Sequence, residues 1–377
     1  MKNLFYKLYA LFFNLSRIFP IKQNRVALVA PHNGGSGDSL GLLRAYLENK
    51  GGYEIIFIST QDLKLDFSSV SALIKSCLKA AGFFTLKAKA LAASKFVFLN
   101  DNFMPMASLN FSNEAIVTQL WHAEGAFKRF GLSAPLPDEV REREKKCSER
   151  LNYVVCTSKN VVSIYAEAFG VDESKILPIG SPRTDKLFNR NTDELRAEFD
   201  KKYPECKGKK LLLYAPTFRD SPQKDSGLLS GIDMKKFSEA LPDSALLIKL
   251  HPQIHSSKPV DGATDVTNED IGALTLICDS VITDYSSVCM DFALLSKPCY
   301  FYAFDLEEYE DERSFYFDYE SYVPGPVAKD FDTLLENIKN PRNGEEKLRS
   351  FREFNFDFVD CKNTERVFEN IISANSR

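Results

Sequence analysis

Residues 280–292, SVITDYSSVCMDF, decide the fold because they join a buried strand to a helix through a polar turn. The apolar run at 281–283 has the composition of a strand end, and an apolar pattern of helical length resumes at Val288. Between them, residues 284–287 (DYSS) place two hydroxyls and several backbone N–H groups at the start of the helix. A strand that feeds a helix in this way is typical of an α/β protein.

Two interpretations of this turn follow from its chemistry. Unpaired N–H donors and the positive end of the helix dipole favour the binding of an anion. Alternatively, Asp284 or Ser286 is only an N-cap, which stabilises a helix by about 1 kcal/mol. The local sequence favours the cap, and the remainder of the chain shifts the balance towards an anion site.

The alternation of strand and helix continues along the chain. Apolar runs of strand length occur in two series, at 25–30, 53–59, 95–99, 115–120, 153–157 and 175–179, and then at 210–215, 245–250, 263–266, 280–283 and 299–302. Continuous apolar strands alternating with helices imply parallel sheets covered on both faces. A polar, charged segment at 189–210 separates the two series.

The sequence therefore predicts an α/β protein with two Rossmann-like, doubly wound domains that face a cleft. The predicted domains are 23–188 and 189–345. An amphipathic helix at 1–22 precedes them, and we expect a helical segment at 346–377 to pack back on the N-terminal domain.

Polar residues cluster just beyond the carboxyl ends of the predicted strands. They are His32, Asn100, Asp101 and His122 in the first series, and Thr217, Arg219, His251 and Asp284 in the second. Ligands of open parallel sheets bind outside the carboxyl ends of the strands. The pattern predicts a site between the two domains, and histidine is the natural general base near neutral pH.

Composition excludes several classes of function. The 377-residue chain carries a net charge of -4, which argues against nucleic-acid binding by bulk charge. Its eight cysteines form no CxxC pair, which indicates free thiols in a reducing, cytoplasmic compartment. No HxxxH pair lies on a predicted helix, and the acidic run at 305–320 is typical of a solvated face. We therefore predict a site without a metal or a cofactor.

The N-terminal segment 1–25, MKNLFYKLYALFFNLSRIFPIKQNR, is basic and rich in aromatic residues, with no acidic residue before Asp38. Its apolar run is shorter than the ~20 residues needed to span a bilayer, and no cleavage site of a signal peptide follows. A basic amphipathic helix fits a membrane interface. The alternative is a helix that docks its apolar face on the protein's own core.

Further weak signals point to phosphate. The glycine-rich stretch 33–41, NGGSGDSLG, follows a strand but lacks the Lys-Ser/Thr of a P-loop and the spacing of GxGxxG. Basic side chains near predicted loop ends, Lys128, Arg129 and Arg183, could pair with phosphate oxygens.

Residues 119–131, QLWHAEGAFKRFG, resemble the QxWHG…K…G motif of the CDP-glycerol glycerophosphotransferases, the teichoic acid primase and polymerase family. Further motifs follow in the family's order: 180–185 (GSPRTD), 214–219 (YAPTFR), 249–252 (KLHP), 283–287 (TDYSS) with 291–292 (DF), 313–319 (RSFYFDY) and 324–326 (PGP). The resemblance covers roughly residues 115–370.

The resemblance implies a GT-B architecture and peripheral attachment to the cytoplasmic face of the membrane. It also implies transfer of glycerol phosphate from CDP-glycerol, with release of CMP, in teichoic acid or capsule-type polymer synthesis. The acceptor would be a hydroxyl of a polyprenyl-diphosphate-linked saccharide or of a growing polyol-phosphate chain. The alternatives are a ribitolphosphotransferase that uses CDP-ribitol, a GT-B hexosyltransferase that uses a nucleotide sugar, and a non-catalytic membrane-associated scaffold.

The resemblance also assigns roles to individual residues. His122 and His251 match the family's two essential histidines. The donor and phosphate-binding candidates are Arg183, Thr217, Arg219, Lys249, Asp284, Ser286, Ser287 and Arg313. The acceptor-side candidates are His32 and Lys128. We expect His122 to act as the general base, with the mirrored assignment to His251 as the alternative.

Two departures from the family pattern leave the alditol open between glycerol and ribitol. Ala123 and Ser314 stand where the family commonly has glycine, and Ser314 lies near the expected donor loop.

Overall fold

The computed structural model describes residues 2–31, 37–219, 222–251, 254, 260–312 and 314–376. The chain divides into two compact units, Met1–Asp185 with Asp360–Arg377, and Lys186–Val359. Only residues 360–377 of the C-terminal segment therefore belong to the first unit. The preceding helix, Glu345–Asn355, belongs to the second.

Over its described residues, the first unit contains a six-stranded parallel sheet in the order β2-β1-β3-β4-β5-β6. Its strands are β1 (Lys22–Ala30), β2 (Glu54–Ser59), β3 (Ser94–Leu99), β4 (Ile116–Gln119), β5 (Tyr153–Cys156) and β6 (Ile176–Pro178). In β1 the first three residues are exposed and the remaining six are buried, as expected for a strand that enters a sheet covered on both faces.

The second unit contains another six-stranded parallel sheet over the part of the chain that the structure describes, in the order β12-β11-β10-β7-β8-β9. Its strands are β7 (Lys210–Tyr214), β8 (Ser244–Ile248), β9 (Thr264–Asp265), β10 (Ser280–Thr283), β11 (Cys299–Tyr302) and β12 (Val327–Ala328). The prediction of two doubly wound parallel sheets is confirmed.

Helices connect the strands in both units. In the first unit they are α1 (Lys2–Leu15), α2 (Ser39–Lys50), α3 (Val70–Gly82), α4 (Ala88–Ala92), α5 (Asp138–Ser148), α6 (Val162–Phe169) and α17 (Asn363–Val367). In the second they are α7 (Lys186–Asn189), α8 (Thr192–Lys202), α9 (Pro222–Ser230), α10 (Met234–Ala240), α11 (Ile271–Ile277), α12 (Val288–Leu294), α13 (Leu306–Glu312), α14 (Tyr319–Tyr322), α15 (Phe331–Lys339) and α16 (Glu345–Asn355).

The C-terminal residues complete the core of the first unit. Val367 and Ile371 are fully buried in one cluster with Leu28 of β1 and Leu43 of α2. The carboxylate of Asp185 accepts hydrogen bonds from the N–H groups of Asn363 and Thr364, at 2.9 and 2.8 Å, and from the Thr364 hydroxyl at 2.6 Å. This buried carboxylate therefore caps α17 from a distant part of the chain.

The N-terminal helix has one face that packs on the protein and one face that is exposed. Tyr9 and Phe13 on the inner face are fully buried, and the Tyr9 ring lies 5.1 Å from the ring of Phe83. On the outer face Leu4 is 72% exposed and Leu15 is 62% exposed. The inner face therefore docks on the protein, as in the alternative reading, while an apolar outer face remains in solvent. Within the described residues no helix is both long and apolar enough to cross a bilayer.

Candidate active site

The turn that follows β10 lies at the topological switch point of the second sheet. The strand order reverses between β7 and β10, and open α/β sheets bind their ligands at such a point. The backbone N–H of Thr217, which follows β7, donates to Asp284 Oδ1, which follows β10, at 2.8 Å. The 214–219 and 283–287 motifs therefore meet at one edge of one sheet.

Asp284 organises this edge from a buried position. It is 1% exposed, and its Oδ1 also accepts the N–H of Tyr285 at 2.6 Å. Its backbone carbonyl accepts the hydroxyl of Tyr319 at 2.9 Å, and its Oδ2 lies 2.9 Å from the guanidinium of Arg219. Asp284 therefore holds the turn in shape. The N–H groups that its carboxylate accepts lie outside α12, so its role is to orient the turn and not to cap the helix.

Arg219 is committed to protein carboxylates. Its Nε and Nη2 donate to the two oxygens of Asp305 at 2.8 and 3.0 Å, and its side chain is only 3% exposed. Burial alone would lower the pKa of the guanidinium, but hydrogen bonding to Asp305 and the charge of Asp284 outweigh burial and raise it. The sequence predicts a phosphate ligand here, whereas the side chain supports Asp284 from behind. We therefore revise its role to positioning.

The hydroxyls of the turn differ from these buried groups. Ser286 is half-buried and its Oγ accepts the N–H of Val288 at 3.3 Å, whereas Ser287 is exposed and makes no side-chain cap to α12. The hydroxyl of Thr217 is buried without a hydrogen-bond partner among the described residues. The helix α12 has only seven residues, so its dipole is a minor contribution. The hydroxyls and backbone N–H groups of the turn are what suit it to an anion.

His251 follows β8, the strand next to β7. Its ring packs on Phe218 with 4.7 Å between the ring centroids. Partial burial lowers the pKa of the imidazole, and the charge of Asp225 opposes this by raising it. The net shift favours the neutral imidazole at neutral pH, which can donate one hydrogen bond and accept another.

Lys249, two residues before His251, turns away from a ligand role. Its Nζ donates to the backbone carbonyls of Thr267 and Glu269 at 2.8 and 2.7 Å. Burial lowers the pKa of this ammonium, against the charge of Asp270. Its observed contacts fix the loop after β9, so the predicted donor contact by Lys249 is also revised to a structural role.

In the first unit, His122 stands three residues beyond β4 with its side chain 52% exposed. The preceding residue, Trp121, has a φ of 59°, a left-handed conformation that a bulky side chain rarely adopts. The indole is buried, and its ring lies 4.2 Å from the imidazole and 5.2 Å from the ring of Phe130. The backbone thus turns His122 outward while the indole supports its ring.

A buried ion pair anchors the same loop. Glu124 is 4% exposed and forms a bidentate pair with Arg183, whose Nε donates to Oε1 at 2.6 Å. The Ser181 hydroxyl donates to the same oxygen at 3.3 Å. The sequence predicts Arg183 as a phosphate ligand, but its guanidinium holds Glu124 instead. We revise Arg183 to a residue that positions the His122 loop.

The loop closes at Gly131, the last glycine of the 119–131 motif. Its φ is 56°, and a Cβ there would lie 2.2 Å from the carbonyl oxygen of Ala168. Only glycine fits this close approach. Lys128, earlier in the loop, is half-buried. His32 and Arg313 lie outside the described residues, and no cluster of potential metal ligands occurs among the described ones.

Several residues of this site have roles that sequence reasoning missed. Glu124 stands inside the motif that identified His122, and Asp225 lies in an unremarkable polar stretch. Asp305 opens the acidic run at 305–320, whose composition predicts a solvated face, yet its carboxylate pairs with buried Arg219. Two features of the sequence could have indicated these roles. Glu124 lies within the 119–131 motif, and Asp305 lies shortly after a predicted strand end.

Two doubly wound parallel α/β units with polar residues at their carboxyl edges define a protein of the GT-B class. Residues 11–373 match the sequence profile of the CDP-glycerol:poly(glycerophosphate) glycerophosphotransferases. The chain belongs to this family.

Relatives with established names cover most of the chain. The teichoic acid poly(ribitol-phosphate) polymerase of Bacillus spizizenii is 32% identical over 382 residues, 96% of this chain and 58% of its own length. The teichoic acid glycerol-phosphate primase of Bacillus subtilis is 28% identical over 348 residues, 88% of this chain and 89% of its own length. This chain thus spans little more than half of that polymerase and most of that primase.

The fold is also similar to a solved structure of the wall teichoic acid polymerase TagF soaked with CDPG. The TM-score is 0.78 at 25% identity, over 98% of this chain and 93% of that chain.

Proposed function

We propose that this protein transfers glycerol phosphate from CDP-glycerol to a hydroxyl of a polyprenyl-diphosphate-linked saccharide or a growing polyol-phosphate chain, in teichoic acid or capsule-type polymer synthesis. The observation that carries the proposal is family membership combined with the hydroxyl-bearing turn at the switch point of the second sheet. Nucleotide-binding α/β domains use this position for phosphates.

The proposed chemistry is a displacement at phosphorus. The acceptor hydroxyl gives its proton to a base, and its oxygen forms a bond to the phosphorus that carries glycerol. The bond from this phosphorus to the bridging oxygen breaks, and CMP leaves. Such a reaction asks mainly for alignment and for stabilisation of charge on the phosphoryl oxygens.

The second unit supplies the donor site in this proposal. Ser286, Ser287 and Thr217 offer their hydroxyls to the diphosphate, while Arg219 and Asp284 keep the turn in place. His251 donates to the leaving phosphate as a neutral imidazole, which its lowered pKa supports. His122 of the first unit is the general base, a role that typically contributes 10²–10⁴-fold to the rate.

CDP-ribitol is a second candidate donor. The observation that favours it is the similarity to a ribitol-phosphate polymerase over almost the whole chain. Ser314, in place of the family's common glycine, lies in a half-exposed segment near the expected donor loop. The two alditols differ by two hydroxymethylene units, so a direct comparison of the two donors separates them.

The test is turnover of the full chain with a lipid-linked disaccharide acceptor and, in parallel, CDP-glycerol, CDP-ribitol or a UDP-hexose. We expect CMP release with a CDP-alditol and a product whose mass rises by whole alditol-phosphate units. Release of UDP from a UDP-hexose, or no CMP from either CDP-alditol, would overturn the proposal. Loss of CMP release in His122→Ala, with the fold retained by circular dichroism, would attribute the turnover to this site.

We further propose that the outer face of α1 holds the protein at the cytoplasmic face of the membrane. Leu8 is 41% exposed and Leu11 is 54% exposed, and Lys7 and Arg17 flank them. An apolar stripe with basic neighbours fits a surface of anionic phospholipid.

Vesicles of anionic phosphatidylglycerol provide the test of this surface. The double variant Leu8→Glu with Leu11→Glu should bind them on the order of 10²–10⁴-fold more weakly, because each buried leucine contributes about 1.5–3 kcal/mol. Val359→Glu, at another exposed apolar position in the second unit, is the matched control. Unchanged binding of the double variant in a sedimentation assay would exclude this face as the anchor.

A further inference from the structure

We propose that Asp101 is the positioning carboxylate of His122. In this assignment Asp101 accepts the Nδ1–H of the imidazole, so that the Nε2 lone pair is available to the acceptor hydroxyl. The inference rests on the proposed function for its chemical meaning, but its geometry stands by itself. Asp101 Oδ2 lies 3.4 Å from His122 Nδ1. Hydrogen bonds of this kind are often long without substrate and tighten in the reacting complex.

The topology of the first sheet brings the two side chains together. β3 and β4 are parallel neighbours in which Leu99 pairs with Gln119. Asp101 stands two residues beyond the end of β3, and His122 stands three residues beyond the end of β4. Both loops therefore leave the same edge of the sheet side by side.

The side chain of Gln119 ties the two loops to each other. Its Nε2 donates to the backbone carbonyl of Asp101 at 3.2 Å, and its Oε1 accepts the N–H of Trp121 at 3.0 Å. The amide is buried, so both of its bonds are made within the protein. A single side chain thus fixes the separation between the carboxylate loop and the histidine loop.

Trp121 restricts His122 from the other side. Its left-handed backbone conformation persists only where the surroundings enforce it, and the indole packs against the imidazole and against Phe130. Strain of this kind concentrates at functional sites. The imidazole is therefore held between the indole and the carboxylate of Asp101.

The charged groups that face Asp101 are consistent with the assignment. Glu144 of α5, a half-buried carboxylate, lies close enough to Asp101 for the two charges to interact. Burial raises the pKa of Glu144, and the charge of Asp101 raises it further, while a hydrogen bond from Asn102 opposes both. Glu144 therefore provides a second carboxylate near Asp101, whose charge can be removed independently of the Asp101–His122 contact.

The proton balance follows directly. When the acceptor oxygen bonds to phosphorus, its proton moves to Nε2, and the imidazole becomes an imidazolium stabilised by Asp101. CMP leaves with the bridging oxygen as a phosphate monoester, so the imidazolium returns its proton to water after the transfer. Asp101 keeps its charge throughout and orients the base without touching the substrate.

The variant Asp101→Asn tests the assignment, because the hydrogen bond from Asn102 fixes the orientation of the new amide. Oδ1 of Asp101 accepts the N–H of Asn102 at 2.6 Å, so the amide oxygen should occupy that position. The amide nitrogen then takes the place of Oδ2 and donates to Nδ1. His122 is thereby driven into the Nε2–H tautomer, in which Nε2 cannot accept a proton.

Two measurements on the full chain check this. In ¹⁵N-histidine-labelled protein at high pH, the wild type should show the Nδ1–H tautomer of His122, and Asp101→Asn should show the Nε2–H tautomer. With the donor that the chain turns over, kcat should fall on the order of 10²–10⁴-fold in this variant with little change in KM. Glu144→Gln is the matched control, because it removes a nearby charge without contacting the imidazole, and it should keep the wild-type tautomer.

The outcomes separate this inference from the proposed function. If Asp101→Asn keeps the Nδ1–H tautomer, or if Glu144→Gln changes the tautomer equally, the assignment of Asp101 is wrong whatever the activity. If the tautomer changes but no CDP-alditol is turned over by the wild type, the proposed function fails and the Asp101–His122 pair stands.

Discussion

At the scale of single residues, the guanidinium of Arg219 pairs with two carboxylates, Asp284 and Asp305, beneath the turn at 284–287. Removing it by Arg219→Ala leaves Asp284 and Asp305 with uncompensated charge in a buried setting. Breaking such a pair typically costs about 3–5 kcal/mol of unfolding free energy. Urea unfolding followed by circular dichroism should report a loss of this size.

The matched control for this change is Arg190→Ala. Arg190 pairs with Asp270 at 2.8 Å in the same unit, but both side chains are at least a third exposed. Exposed pairs contribute at most about 1 kcal/mol. Equal losses for Arg190→Ala and Arg219→Ala would contradict the positioning role of Arg219.

His251 provides a second prediction at this scale. Burial lowers the pKa of its imidazole, and Asp225 partly offsets this. Because the folded state then binds fewer protons than the unfolded state, this group stabilises the fold less as the pH falls below its unfolded value of about 6.5. In Asp225→Asn the offset is lost, so the pKa of His251 should fall further.

An NMR titration of the imidazole resonances measures this shift directly. Asp233→Asn, which alters a helix cap elsewhere in the second unit, serves as the control and should leave His251 unchanged. A rise in the pKa of His251 in Asp225→Asn would show that burial and charge have been assigned with the wrong signs.

The roles of individual side chains mark the limit of sequence reasoning. The sequence places Arg219 beyond a strand end, Arg183 near a loop end and Lys249 in the last part of a strand, and in the structure all three follow strands. Each forms contacts with groups far away along the chain, as Arg219 does with Asp305, 86 residues on. Such partners are set by tertiary packing, and no local pattern encodes whether a basic side chain meets a phosphate or a buried carboxylate.

At the scale of elements, the cap of α17 by Asp185 holds the C-terminal residues in the first unit. Three donors of Asn363 and Thr364 depend on this carboxylate. Asp185→Ala should cost about 2–3 kcal/mol, because a charged acceptor is lost and buried N–H groups are left unpaired.

Hydrogen exchange localises the effect of that cap. Amides of residues 363–372 should lose protection in Asp185→Ala before the rest of the first unit does. Asp172→Ala, which removes an exposed side-chain cap in the same unit, should leave these amides protected. Uniform loss of protection across the unit would indicate global destabilisation instead of release of α17.

Strands were easier to predict from the sequence than the partners of individual side chains. Every strand proposed from an apolar run is present within one or two residues at most ends, and β1 begins three residues earlier than predicted. Among the described residues the strand that was missed is β12, which has two residues and lies just after the Pro-Gly-Pro at 324–326. A two-residue strand carries no periodicity, so only its pairing with β11 reveals it.

At the scale of the whole molecule, each unit carries one half of the proposed chemistry on the carboxyl edge of its own sheet. The first unit presents His122 beside Asp101, and the second presents the turn of Ser286 and Ser287. Because these groups lie in different units, removing one set should change one kinetic constant and spare the other.

His122→Ala should therefore lower single-turnover chemistry on the order of 10²–10⁴-fold while donor affinity stays within about threefold of the wild type. The double variant Ser286→Ala with Ser287→Ala should weaken donor binding by roughly tenfold or more, because hydrogen bonds to a charged phosphate are lost. Calorimetry with CDP-glycerol or CDP-ribitol measures affinity, and rapid quench measures chemistry. Ser230→Ala, an exposed serine of the second unit, is the control. Collapse of donor affinity in His122→Ala, with chemistry preserved at saturation, would reverse the roles assigned to the two units.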